Sequence, residues 1–128
     1  MDPIDTARRT VLGLAIATAA APARAQEPAS RIIDIDMRDG RAGGPDLAVP
    51  ARGTPTLRLR VGEAVALRWT GDRAVVLHLH GLRVETRVEP GSPAIMAVPT
   101  RTAGRFAVET HDRAGRHTAV LYIEIHPR

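Results

Sequence analysis

From residue 31 onward the chain is made of short runs of alternating or wholly apolar positions, each cut off by Gly, Pro or Asp. None keeps a helical period, so the pattern predicts strands throughout. Residues 32–37 place Ile33, Ile35 and Met37 on one face, and a Gly/Pro-rich stretch follows over residues 40–55. Residues 56–61 alternate strictly, Gly62-Glu63 turns the chain, and residues 64–69 take up the next run, a hairpin signature. Further strands are predicted over residues 75–80, 84–88, 94–98, 104–110 and 119–125, with turns at Gly81, Pro90-Gly91 and Pro99. In the last of these Leu121, Ile123 and Ile125 face one way, Tyr122 and Glu124 the other. About seven or eight short strands at this spacing predict an all-β sandwich.

The N-terminus breaks this pattern. Arg8 and Arg9 precede an apolar stretch over residues 11–21, and Ala23 and Ala25 put small residues where a signal peptidase reads. Residues 1–25 therefore read as an export signal cleaved before Gln26, too short to span a bilayer, which places the mature domain, residues 26–128, in the periplasm with no membrane span. The Arg8-Arg9 pair before Thr10-Val11-Leu12 is also similar to a twin-arginine signal.

A chain of 128 residues with 44% hydrophobic content has room for one domain. It contains no cysteine, which excludes disulfides, thiolate-zinc sites, thiol catalysis and iron-sulfur clusters. Any metal must then sit on His, carboxylate, Met or backbone oxygen. All 18 basic residues are arginine and the formal charge is +4, but they are scattered, and Trp69, Phe106 and Tyr122 are the only aromatics. Without a basic cluster carrying stacking platforms, nucleic-acid binding is not expected. Ser92 has no base beside it and no phosphate-cradling glycine loop is present, so no enzyme is expected.

The candidate chemistry lies in the histidines. His78 and His80 are two apart on a predicted strand and project from one face, while His111 and His117 bound a loop containing Asp112 and Gly115. Imidazoles converging in this way suit Cu(II) or Zn(II). Two outward histidines on an exposed strand would look the same in sequence, so a site with no metal stays open beside this reading. Glu109 and Asp112 flank the cluster and are expected to orient imidazoles. His126, beside Pro127, reads as a solvated tail residue.

From Thr56 to Arg128 the sequence resembles a cupredoxin domain, the copper-binding Greek-key sandwich of plastocyanin-like and cytochrome-oxidase-like proteins. The elements come in the family's order: Leu59-Arg60-Val61-Gly62-Glu63-Ala64-Val65, then His78-Leu79-His80-Gly81, Glu89-Pro90-Gly91 and Gly104-Arg105-Phe106. The resemblance implies a first His ligand at His78 or His80, the thiolate position at Thr110, a second His near His117 and the Met position at Val120. A neutral hydroxyl at Thr110 cannot replace the thiolate of a blue copper centre, so type 1 electron transfer is not expected. What remains is an all-nitrogen set of His78, His80, His111 and His117 that binds copper, or zinc as the lesser alternative, for storage, delivery or tolerance, with a periplasmic protein as a further partner. The alternative is a vestigial site in a metal-free interaction or structural module.

Overall fold

The computed structural model describes residues 29–128, together with Gly13 and Ala17. Apart from those two residues, the export signal read over residues 1–25 lies outside the described residues. The alternating runs become nine strands: β1 (Arg31–Arg38), β2 (Arg41–Gly43), β3 (Thr56–Arg60), β4 (Val65–Gly71), β5 (Val75–Leu79), β6 (Val84–Val88), β7 (Ala94–Val98), β8 (Gly104–His111) and β9 (His117–His126). They form a four-stranded sheet in the order β2-β1-β4-β7 and a five-stranded sheet in the order β3-β9-β8-β5-β6. No helix among the described residues is long and apolar enough to cross a membrane.

The period-two pattern explains the sandwich. Ile33, Ile35 and Met37 of β1, with Leu67 and Trp69 of β4, turn inward to meet Leu77 and Leu79 of β5 and Leu121, Ile123 and Ile125 of β9, all buried. Burying one such aliphatic side chain is worth about 1.5–3 kcal/mol. A one-residue slip of any strand would expose its whole inward set, so the core itself fixes the register.

The structure departs from the sequence expectation at two places. The stretch over residues 40–55 contains a ninth strand, β2, which pairs antiparallel with β1 and inserts only Ala42 into the core. A three-residue strand with one small buried side chain leaves no alternation to detect. The hairpin expected across Gly62-Glu63 is instead a crossover between sheets: β3 pairs parallel with β9, and β4 pairs parallel with β1 and antiparallel with β7. Gly62 makes this corner at φ 91°, its N–H donating to the Thr100 carbonyl at 3.0 Å. Two alternating runs joined by a glycine turn look alike whether the second run pairs back or changes sheet, because the deciding partners are distant in sequence.

Candidate metal centre

The site is built on the outer face of the five-stranded sheet, beginning at the β8–β9 hairpin. Asp112 shapes the turn: its Oδ1 accepts the N–H groups of Ala114 and Arg116, both at 2.9 Å, and its Oδ2 takes the Arg116 guanidinium at 2.7 Å. The Arg116 backbone bond, then its side chain, hold the Asp112 carboxyl below the ordinary aspartate range. Gly115 completes the loop at φ 76°. The hairpin then sets His111 directly opposite His117 as the first pair of the ladder. Asp112, expected to orient an imidazole, holds the turn that brings two of them together.

A β-bulge decides which face His117 takes. Val108 pairs with Leu121 and Glu109 with Ala119, which leaves Val120 as the extra residue of β9. Val120 and Leu121 are consecutive and both buried. Strict alternation back from Ile125 would carry His117 to the core side; the extra residue reverses the parity and turns it to solvent, beside His111. Val120, given the Met position by the resemblance, is therefore a buried bulge residue.

The next strands add the rest. His78 on β5 is in register with Glu109 on β8 and with Glu85 on β6, giving a row Glu85, His78, Glu109, Ala119 across four strands. Alongside it, Val76 faces Arg87 and His111 faces His117. His78 lies diagonally across from His111 and stacks on it, with ring centroids 4.4 Å apart and planes 15° from parallel. His111 and His117 follow at 3.9 Å with planes tilted by 49°. A carboxylate closes each end of this three-ring stack: Glu85 Oε2 lies 3.3 Å from His78 Nε2, and Glu109 Oε2 lies 3.2 Å from His117 Nδ1.

All four histidines expected from the sequence line one open cleft of about 350 Å³. They do not take equal parts in it. One donor atom each from Glu109, His111 and His117 lie within 4.8 Å of one another. Ligands at about 2 Å from a common ion stand about 3–4 Å apart, so small side-chain rotations bring these three to one metal. The lone pairs of an imidazole lie in its ring plane, and the nearly parallel His78 and His111 rings therefore direct theirs side by side. His78 belongs to the stack and, through Nε2, to Glu85. His80 lies just past the end of β5, its backbone N–H bonded to the Ala107 carbonyl at 2.8 Å, and shares the cleft without joining the stack. His126 ends β9, exposed, with Nε2 at 3.4 Å from Glu124.

Glu109 enters as a donor candidate as well as an orienting group. Its spacing of two from His111 on one strand carried that signal, since both must share a face. Glu85 as the partner of His78 required the β5–β6 pairing to be known.

Thr110 and Thr118, opposite each other on the same hairpin, face the other way. They line a cavity of about 290 Å³ with Met37, Val75 and Asp72, and His111 borders both spaces. The position that the resemblance gives to the thiolate thus lies on the inner side of the sheet, and the imidazole stack on its outer side. A type 1 centre does not fit these residues: Thr110 supplies no thiolate, and two imidazoles with a carboxylate form a harder donor set.

No family model matches the sequence, and no curated protein matches it. Solved structures do resemble the fold. The periplasmic domain of subunit II of cytochrome oxidase (CoxB) of Bradyrhizobium japonicum is 17% identical with a TM-score of 0.55, over 78% of this chain and 85% of that one. A chain in the mixed disulfide intermediate between a thioredoxin-like protein and subunit II of cytochrome c oxidase gives 16% and 0.57, over 82% and 86%. A multi-copper oxidase from Pseudomonas thermotolerans gives 20% and 0.50, over 77% of this chain and 30% of that one. Two sheets, their strand pairing and these neighbours agree: by fold the chain is a cupredoxin-like domain, one that lacks the type 1 copper cysteine.

Proposed function

We propose that this domain is an exported protein that binds one Cu(II) through His111, His117 and Glu109 and passes it on without cycling it. The observation that carries the reading is the convergence of those three donor atoms within 4.8 Å. Two imidazoles and a carboxylate suit Cu(II), and Zn(II) less selectively, while the absence of a thiolate removes the type 1 electron-transfer centre. His78 supports the set by stacking on His111, and His80 stands at the edge of the same cleft. Export is supported by the signal pattern over residues 1–25 and by likeness to periplasmic domains.

Delivery fits better than closed storage. The site lies on an open sheet face, with the His117 side chain 55% exposed. A partner's ligands can approach the metal there before the domain's own let go. The mixed disulfide in one similar structure is closed to this chain, which has no cysteine. Binding and exchange, with no turnover, is the activity assigned.

The vestigial alternative has one observation in its favour: the cluster is already paired without an ion, His78 with Glu85 and His117 with Glu109. Calorimetric titration with Cu(II), read beside electron paramagnetic resonance, separates the two. The proposal expects one equivalent bound with nitrogen couplings, and loss of both in a His111→Ala, His117→Ala variant. No saturable binding by the parent would leave the metal-free module, and unchanged affinity in that variant, or a spectrum without nitrogen couplings, would overturn this donor set.

A further inference from the structure

A second cleft, of about 460 Å³, lies between residues 49–55 and the bulged part of β9, with no histidine in its lining. Its charged lining is one-sided: Arg41 and Arg52 border it, and no carboxylate does. Other arginines on the domain stand beside carboxylates, among them Arg31 by Asp46, Arg68 by Asp34, Arg73 by Asp39 and Asp72, and Arg87 by Glu89, though not all do. Arg41 and Arg52 make no ion pair among the described residues. Two uncompensated guanidinium groups in one concavity set up a positive field that attracts an anion.

The wall is fixed before any ligand arrives. Ala48 and Thr56 exchange two backbone hydrogen bonds, at 2.8 and 2.9 Å, at the base of the loop, and the Pro55 carbonyl accepts the Tyr122 N–H at 2.9 Å. Pro50 and Pro55 remove backbone freedom within it. Val49, 61% exposed, and Pro50 give the cleft an apolar side. Thr54 also lines it and offers one neutral hydroxyl-bearing side chain.

We propose that this cleft binds a small organic dicarboxylate, each arginine holding one carboxylate and the carbon body lying against Val49 and Pro50. Arginine presents paired donors that match a carboxylate, and the volume is that of a small-molecule site. An apolar wall gives a carbon chain an advantage over a bare inorganic anion. The site is independent of the metal reading.

Succinate titrated into isotope-labelled protein at fixed ionic strength, followed through the Gly53 and Thr54 amides, tests this. Saturable shifts are expected, with affinity lowered roughly tenfold in each of Arg41→Gln and Arg52→Gln, and unchanged in the His111→Ala, His117→Ala variant. Both arginines are exposed, so neither substitution threatens the fold. The proposal fails if succinate produces no saturable shift, if both arginine variants bind as the parent does, or if inorganic phosphate moves the same amides at equal concentration.

Discussion

Glu109→Gln is the substitution that separates a working centre from a decorative one. Glu109 stands in register between His78 and Ala119, its side chain 20% exposed, with Oε2 at 3.2 Å from His117 Nδ1. The amide keeps the shape and one acceptor oxygen but loses the charge. If the carboxylate is a ligand, Cu(II) loses its one anionic donor; if it only orients His117, the imidazole loses its charged partner. Loss of such a carboxylate partner lowers metal affinity about 10–100-fold, or about 1.4–2.7 kcal/mol. Glu85 provides the internal control, because it touches His78 and not the converging set, and its side chain is 62% exposed. Competition calorimetry should place Glu109→Gln at least tenfold weaker, Glu85→Gln within about threefold, and nitrogen couplings from two imidazoles should persist in both. Equal effects of the two substitutions, or none from Glu109→Gln, would refute the donor set.

Three further outcomes follow from the fold. Deleting Val120 should convert the bulge to a regular ladder with His111 still opposite His117, costing about 1.5–3 kcal/mol of burial while copper affinity holds; loss of binding in a folded variant would show that the bulge does more than set parity. Trp69 is fully buried and its Nε1 has no hydrogen-bond partner among the described residues, so Trp69→Phe should change stability by about 1 kcal/mol or less in denaturant unfolding, whereas Trp69→Ala should cost about 3–5. The Arg68 guanidinium bonded to Asp34 holds that carboxyl below the ordinary range, so the unfolded chain binds its proton first as pH falls. The contribution of Asp34 to stability is therefore complete above the unfolded value of about 3.9 and lost as pH falls through the folded one. Carboxyl chemical shifts across an acid titration should show the lowered midpoint in the parent and its return to the ordinary range in Arg68→Gln.

What the sequence disclosed and what it withheld divide along the line between local and distant pairing. Alternation located eight of the nine strands and the inward faces of β1 and β9, because burial on one side writes a period of two into the residues themselves. It missed β2, whose one buried residue is Ala42, and it read the Gly62-Glu63 corner as a hairpin because parallel partners such as Arg31 and Val65 lie far apart in the chain. At the centre, the four histidines were visible and do line one cleft. Their unequal roles were not: the stacking of His78 on His111 depends on a diagonal across β5 and β8, and the facing of His117 on a bulge that looks like ordinary strand. The family resemblance gave the fold, yet it placed the thiolate position and the histidines in one site, and the structure puts them on opposite sides of a sheet.

The most direct measurement is anomalous diffraction at the copper edge from crystals of the protein loaded with one equivalent of Cu(II). A single peak is expected on the outer face of the five-stranded sheet, at about 2 Å from nitrogens of His111 and His117 and beside a Glu109 oxygen. A peak between the sheets beside Met37 and Thr110, or none at all, would contradict it.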